Sequence, residues 1–207
     1  MILADIGNRF AHIKSNSSVQ DLEIEELFKN YSNAKVCYIN VNNSIKLRLK
    51  NFDNWIDLSK FVELDGAYRG MGIDRQVFCL SYENALFVDA GSAITIDLVK
   101  DGKFIGGTIV PGLWKLKDAF AQISPSLKID EIKAIDISSL PNTNTKDTIN
   151  YGIIAPIIAL IVRVREDLPI YFTGGDGKFL SQYFDNATYD RELIFKSMEK
   201  IARRAGC

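Results

Sequence analysis

Apolar runs that end in a polar, glycine-containing turn occur twice along this chain. Residues 1–6 form one such run, ending in Asp5-Ile6-Gly7-Asn8, and residues 86–89 form another, ending in Asp89-Ala90-Gly91-Ser92. Strand-like residues follow each turn, which is the pattern of a hairpin with a tight connection. The repetition predicts a duplicated α/β fold.

Helices and strands alternate over the rest of the chain. The spacing of apolar residues predicts helices over 21–31, 43–51, 75–84, 114–122, 146–164 and 191–204. Short apolar runs predict strands over 10–14, 36–41, 55–58, 61–64, 94–99, 103–110 and 169–173. Because the strand-rich pattern restarts at Ala85, we expect two domains, residues 1–84 and 85–207, with mixed sheets flanked by helices.

Composition and charge narrow the class of protein. With 207 residues, 47% of them hydrophobic, the chain can bury a substantial core. A formal net charge of −1 implies no basic face, so we expect no nucleic-acid partner. Cys37, Cys79 and Cys207 are odd in number and form no CxxC pair. This argues against a disulfide framework or a zinc site and favours the reducing cytoplasm.

The sequence predicts neither a signal peptide nor a membrane-spanning segment. The chain reaches Asp5 after only four residues, which is too early for the apolar stretch of a signal peptide. The most apolar run, residues 153–164, is shorter than the roughly 20 residues that span a bilayer, and it contains Pro156 and Arg163. We therefore expect a cytoplasmic protein with no membrane partner.

The two Asp-x-Gly turns carry the first candidate chemistry. Glycine allows a ligand to approach the backbone closely, and exposed N–H groups in such turns bind anions. A carboxylate at the end of a strand can hold a cation against a phosphate. Each turn taken alone is also explained as a simple hairpin connection. Two copies in matching contexts favour a phosphate-binding role.

A second candidate site is the glycine-rich loop Gly70-Met71-Gly72-Ile73-Asp74-Arg75. Here a carboxylate that can act as a base lies beside a cation that can pair with a substrate carboxylate. The alternative is that Asp74 only caps the following helix.

Three further features are weaker candidates for a functional role. Gly106-Gly107 is explained as a structural turn or as a pocket lining, and Thr173-Gly174-Gly175 can offer a flat backbone surface to a nucleotide. His12, the only histidine, fits a core or surface position better than a catalytic one. A single histidine and no Walker A motif exclude nucleophilic triads, histidine-rich metal sites and P-loop chemistry.

Taken in order, these motifs resemble those of type III pantothenate kinases, which belong to the sugar kinase/Hsp70/actin-like superfamily. The resemblance extends from Asp5 to Asp176. It implies an α/β, two-lobed, actin-like or ribonuclease H-like duplicated fold and ATP-dependent phosphorylation of pantothenate, the first step towards coenzyme A. It also implies a homodimer.

The resemblance assigns roles to individual residues. It places ATP contacts on the first turn and on one residue of the second, namely Asp5, Gly7, Asn8, Arg9 and Ser92. Asp74 becomes the general base, and pantothenate contacts fall on Tyr68, Gly72, Ile73, Asp74, Arg75 and Thr145. Asp89 matches the ligand of a monovalent cation, K⁺ or NH₄⁺, and Mg²⁺ is expected near Asp5, directly or through water.

The chain departs from the family pattern at three positions. Arg9 and Ser92 stand where the family commonly has threonine, and Tyr68 lies closer to Gly-x-Asp-Arg than the family's substrate-binding tyrosine. The alternatives are another small-alcohol or sugar kinase, a phosphatase acting on polyphosphate or nucleotides, and an ATP-binding regulator without catalysis. The intact Asp5, Asp74 and Asp89 argue against the regulator.

Overall fold

The computed structural model describes residues 1–16 and 18–207, which divide into two compact units. Unit 1 comprises Met1–Glu83, Gly102–Phe104 and Glu192–Cys207; unit 2 comprises Asn84–Asp101 and Ile105–Arg191. The chain first passes from unit 1 to unit 2 between Glu83 and Asn84, close to the boundary expected at residues 84 and 85. That expected boundary does not anticipate the return of the chain to unit 1 at its end.

Unit 1 contains one sheet and four helices. Its strands are β1 (Ile2–Ile6), β2 (Phe10–Ser15), β3 (Ser18–Glu23), β4 (Val36–Asn40) and β5 (Trp55–Asp57). Its helices are α1 (Ile24–Tyr31), α2 (Lys46–Leu49), α3 (Ile73–Cys79) and, at the end of the chain, α7 (Leu193–Arg204).

Unit 2 contains the second sheet and three helices. Its strands are β6 (Ala85–Ala90), β7 (Ala93–Lys100), β8 (Lys103–Pro111), whose first residues belong to unit 1, β9 (Ile170–Thr173) and β10 (Ala187–Tyr189). Its helices are α4 (Leu113–Ile123), α5 (Thr145–Val164) and α6 (Gly177–Ser181).

The two sheets have the same strand order. The order in unit 1 is β3-β2-β1-β4-β5, and the order in unit 2, taken from the other edge, is β8-β7-β6-β9-β10. In both, the first strand pairs antiparallel with its hairpin partner and parallel with the strand on its other side. The predicted duplication and the mixed α/β sheets are therefore confirmed.

Alternation along the central strands separates core residues from site residues. In β1, Ala4 and Ile6 belong to the core beside α1, whereas Leu3 packs with residues of α3 and α7. Because side chains alternate between faces, Asp5 lies on the α3–α7 face of the sheet. In β6, Val88 packs in the core that includes α5, so Asp89 lies on the opposite face.

Helix α7 joins unit 1 because its apolar face is buried there. Phe195, Met198 and Ile201 are buried in the same core as Leu3 and Val77. Amphipathicity predicts that this segment is a helix, but periodicity along one segment does not identify the sheet that the helix covers.

Several predicted elements differ from the structure. Residues 21–23 end strand β3 rather than begin a helix, since Asp21 and its neighbours pair with β2. The predicted strand at 61–64 is wrong, because a 3₁₀ turn ends at Phe61 and irregular backbone follows. Helix α3 ends at Cys79 rather than Asn84. Strand β10 was not predicted at all.

The cysteines also differ from expectation. The structure joins Cys37 on β4 to Cys207, with Cα atoms 6.5 Å apart, although 170 positions separate them in sequence. The backbone N–H of Cys207 donates to the carbonyl of Ala202 at 3.0 Å, which turns the end of the chain back beside α7. The sequence argued against a disulfide framework and did not anticipate this single pair.

Helix α5 is longer than its apolar run. Its 20 residues make it the one helix, within residues 1–16 and 18–207, that is long and apolar enough to cross a membrane by length and composition. The helix predicted over 146–164 is confirmed, and it extends seven or more residues before the apolar run 153–164. Ile153, Ile154 and Ile161 of this helix are buried in the core of unit 2, and a buried core helix passes the same test.

Removal of a buried α7 side chain tests the packing of unit 1. We expect Met198→Ala to lower the free energy of unfolding by about 2–5 kcal/mol, because it leaves a cavity beneath the sheet. Lys200→Ala, at an exposed position of the same helix, should change it by no more than about 0.5 kcal/mol. Urea unfolding measures both, and equal effects of the two variants would contradict this placement of α7.

Candidate active site

The first Asp-x-Gly turn connects β1 to β2 in unit 1. The backbone N–H of Gly7 donates to the carbonyl of Phe10 at 3.0 Å, and a Cβ at Gly7 would lie 3.1 Å from that oxygen. Asn8 and Arg9 at the tip are exposed, whereas Asp5 is partly buried. The turn therefore presents a polar tip beside a carboxylate, as an anion site with an associated cation requires.

The only histidine lies beside this turn. His12 is paired with Asp5 across β1 and β2, and its Nδ1 lies 2.7 Å from Asp21 Oδ1 on β3. Both members of this His12–Asp21 pair are solvent-accessible. The structure therefore agrees with a surface histidine held by a hydrogen-bonding partner.

The loop that precedes α3 positions Asp74. A positive φ of 91° at Gly70 turns the chain, and Gly72 is the N-cap of the helix. Asp74 Oδ1 accepts a hydrogen bond of 2.8 Å from the N–H of Arg75. A Cβ at Gly72 would lie only 2.5 Å from that same oxygen, so a side chain there would require the Asp74 carboxylate to move.

Arg75 and Tyr68 are brought together by the same loop. Arg75 is buried, and its Nη1 donates to the hydroxyl of Tyr68 at 2.8 Å. Tyr68 itself is half exposed. The structure thus places Tyr68 beside the arginine of Gly-x-Asp-Arg.

Backbone contacts anchor the segment that carries Tyr68. The N–H of Phe104 donates to the carbonyl of Asp65 at 2.8 Å, and the Phe104 and Tyr68 ring centroids lie 6.1 Å apart. Gly66 has a φ of 77°, and a Cβ there would lie 2.4 Å from the Phe104 carbonyl. The sequence gives no sign of the contact between Gly66 and Phe104, because it joins segments nearly 40 residues apart.

Burial of the Asp74 carboxyl changes its chemistry. Desolvation raises the pKa of Asp74 above its ordinary value, and the hydrogen bond from Arg75 N–H and the charge of Arg75 only partly oppose this effect. A carboxylate with a raised pKa is a stronger base than an exposed one, and such shifts are common in catalytic residues.

The second Asp-x-Gly turn lies in unit 2. Gly91 N–H donates to the Ala93 carbonyl at 3.0 Å, and Ser92 at the tip is exposed. The end of β8 closes against this turn, since Gly112 N–H donates to the Ser92 carbonyl at 3.1 Å. A Cβ at Gly112 would lie 2.2 Å from the Gly91 carbonyl, so the contact requires glycine.

The Thr173-Gly174-Gly175 loop packs against Asp89. Gly174 has a φ of 81°, and a Cβ there would lie 2.6 Å from Asp89 Oδ1 and 2.5 Å from the Ala90 carbonyl. The N–H of Asp176 donates to that carbonyl at 2.9 Å, and burial raises the pKa of Asp176. This loop, which the sequence predicted as a surface for a nucleotide, packs directly against the Asp89 carboxylate.

The surroundings of Asp89, formed by the second turn and the Thr173-Gly174-Gly175 loop, could hold a cation with oxygen ligands. Among residues 1–16 and 18–207, no group of three or more His, Cys, Asp or Glu side chains could hold a metal ion. A lone carboxylate with nearby hydroxyl and carbonyl oxygens suits a monovalent cation better than a site that must supply all the ligands of a divalent one. Mg²⁺ can bind beside Asp5 alone, because it retains waters and phosphate oxygens as ligands.

Thr145 is the first residue of α5, in unit 2. It is exposed, and the N-cap before it is Asn144, whose Oδ1 accepts from the N–H of Asp147 at 2.9 Å.

Two further polar residues of unit 2 were not predicted as site residues. Thr95 is paired with Asp89 across the hairpin, and Asp97, two positions on, is fully buried. Counting across the hairpin would have found Thr95.

The repeated sheets, each with an Asp-x-Gly turn after its first strand, define the class of actin-like and sugar kinase folds. A Clostridium difficile activator of 2-hydroxyisocaproyl-CoA dehydratase with bound ADPNP shares this fold with a TM-score of 0.55 at 11% identity, over 100% of this chain and 97% of that one. At this identity the likeness shows the fold alone.

Sequence comparison identifies the family. The family model for type III pantothenate kinase matches residues 17–167. A type III pantothenate kinase of Campylobacter jejuni is 40% identical over 98% of this chain and 97% of its own length. The chain belongs to the type III pantothenate kinase family. A Campylobacter jejuni crystal structure named for a Baf family of transcriptional activators is similar throughout, with a TM-score of 0.89 at 39% identity over 100% of this chain and 99% of that one.

The raised pKa of Asp74 makes stability depend on pH. The folded protein binds this proton more tightly than the unfolded chain, so folding disfavours the charged form at neutral pH. That penalty is lost as pH falls through the folded pKa towards the ordinary value of about 3.9. We expect Asp74→Asn to be more stable than wild type at pH 7, with the difference shrinking on acidification, as measured by urea unfolding between pH 7 and 4.

An exposed carboxylate provides the control for this measurement. Asp53 is exposed in unit 1, so Asp53→Asn should change stability little at either pH. A difference between Asp74→Asn and wild type that stayed constant with pH would contradict the raised pKa.

The adjacent glycines of unit 2 offer a matched pair. Gly174→Ala should lower the free energy of unfolding by about 1 kcal/mol or more, because of its positive φ and the clash with Asp89 and Ala90. A Cβ at Gly175 would meet nothing within 4 Å, so Gly175→Ala should be nearly neutral. Denaturant unfolding compares the two variants, and equal losses would exclude the proposed close approach at Gly174.

Proposed function

We propose that this chain transfers the γ-phosphoryl group of ATP to the primary hydroxyl of pantothenate, forming 4′-phosphopantothenate at the start of coenzyme A synthesis. The observation that carries the proposal is the cluster of Asp74, buried Arg75 and Tyr68 on one anchored loop of a family member. This cluster combines Asp74, a base with a raised pKa, with Arg75, a cation that can pair with a substrate carboxylate.

Asp74 is assigned the role of general base. Phosphoryl transfer depends mainly on positioning and charge neutralisation, and a base next to the acceptor takes the proton of the attacking hydroxyl. Arg75 provides a fixed guanidinium for the substrate carboxylate, and Tyr68 supplies a hydroxyl beside it. The remaining acceptor contacts are assigned to Gly72, Ile73 and Thr145.

The nucleotide is assigned to the two Asp-x-Gly turns. In unit 1, Asp5, Gly7, Asn8 and Arg9 are the candidate phosphate contacts, and Ser92 is the candidate in unit 2. Bound Mg²⁺ near Asp5 and K⁺ or NH₄⁺ at Asp89 would supply positive charge that offsets the charge on the transferring phosphate. Arg9 can donate to a phosphate oxygen where the family's threonine would offer a hydroxyl.

Two alternative functions would require different residues in the candidate site. Another small-alcohol kinase would need the same base but no partner for a substrate carboxylate, which is the role proposed here for Arg75. A regulator, as the name of the Campylobacter jejuni structure implies for that protein, would need no base at all. ATP consumption with pantothenate, compared with a panel of sugars, separates these functions.

The assembly and the compartment are further parts of the proposal. We assign a homodimer, supported by exposed Ile105 and Ile109 on β8, an edge strand whose apolar side chains a second copy can cover. ATP as phosphoryl donor supports the cytoplasm.

Replacement of the base tests the mechanism directly. We expect Asp74→Asn to lower kcat by about 10²–10⁴-fold, because the amide cannot accept the hydroxyl proton. Asp53→Asn, an exposed carboxylate of the same unit, should retain wild-type turnover. A coupled assay of ADP release with ATP, pantothenate, Mg²⁺ and K⁺ measures kcat, and near-normal turnover by Asp74→Asn would refute the assignment.

A further inference from the structure

Asp89 lies in a row of three side chains across the sheet of unit 2. Its strand partners are Thr95 on β7 and Thr173 on β9. Residues directly opposite one another on neighbouring strands project to the same face, with Cβ atoms roughly 4.5–5.5 Å apart. The carboxylate is therefore flanked by a threonine on each side, on the face of the sheet opposite α5.

The hydroxyl of Thr95 is unusual within this row. Over residues 1–16 and 18–207, its Oγ1 is the one buried side-chain oxygen or nitrogen without a hydrogen-bond partner. Buried hydroxyls nearly always have a partner, because desolvation without one is costly. An oxygen held in this way beside a carboxylate has its lone pairs available to a cation.

The surroundings restrict what that cation can be. Gly174 leaves no room for a side chain next to Asp89 Oδ1, so backbone closes the site on that side. Asp89 is the one carboxylate within the row, Asp97 lies on the same face two positions beyond Thr95, and no cluster of three acidic, histidine or cysteine ligands exists among the described residues. Few charged ligands and several neutral oxygens match a large, singly charged cation.

We propose that Thr95 Oγ1 is a direct ligand of the monovalent cation at Asp89. The assignment rests on the proposed function, which places K⁺ or NH₄⁺ at Asp89, and it adds a residue to that site. The cation satisfies the orphaned hydroxyl, and the hydroxyl holds the cation on the β7 side of the carboxylate. Loss of the hydroxyl should therefore weaken cation binding without unfolding the protein.

Thermal unfolding in the absence of nucleotide and pantothenate tests this directly. The full chain is titrated with KCl against LiCl at constant ionic strength, which gives the K⁺ concentration needed for half of the stabilisation. Thr95→Val should raise that concentration about tenfold or more. Thr95→Ser, which keeps the hydroxyl, should stay close to wild type.

Two controls separate ligation from packing. In LiCl alone, Thr95→Val should be at least as stable as wild type, because valine has the same shape and buries no unpartnered oxygen. Thr108→Val, at a partly buried position on β8, should leave the K⁺ titration unchanged. Asp89→Asn should abolish the K⁺ effect.

The outcomes distinguish this inference from the function it rests on. Retention of wild-type K⁺ stabilisation by Thr95→Val, together with its loss in Asp89→Asn, would overturn the role of Thr95 and leave the cation at Asp89. If wild type and Asp89→Asn both failed to respond to K⁺, the cation assignment itself would fail, and the role of Thr95 with it.

Discussion

The strand alternation of β1 and β6 is the constraint on which both candidate sites depend. Each strand is paired on both sides, antiparallel to its hairpin partner and parallel to the next strand, so its register is fixed. With the register fixed, Ala4 must face the core of unit 1 that includes α1, and Val88 must face the core of unit 2 that includes α5. Asp5 and Asp89 must then face the opposite side of their own sheets. A slip of one residue would bury both carboxylates in apolar cores.

The two units use the same hairpin for different purposes because different segments pack beside it. In unit 1 the face that carries Asp5 is covered by α3 and α7, and α3 begins with the candidate base and its arginine. In unit 2 a glycine loop after β9 approaches the carboxylate directly, without a side chain between them. The duplicated sheet thus supports a polar loop in one unit and a tight oxygen-lined cradle in the other.

Local burial, rather than overall charge, sets the electrostatics of the candidate sites. The chain is nearly neutral, yet burial raises the pKa of Asp74, and a buried guanidinium lies in the adjacent position. Arg75 is held by the hydroxyl of Tyr68, whose loop is itself anchored by the Phe104 backbone. The positions of Arg75 and Tyr68 in unit 1 therefore depend on backbone contacts made far along the sequence from Asp74.

The sequence by itself determined the duplicated hairpins, most of the strands and helices, and the motif residues Asp5, Asp74 and Asp89, because periodicity and turn chemistry are local properties. Tertiary structure alone decided that α7 returns to unit 1, that Cys207 meets Cys37, and that Gly174 and Thr173 lie against Asp89. These contacts join segments separated by 80 or more residues. Their partners are selected by packing and parallel strand pairing, which no local pattern encodes.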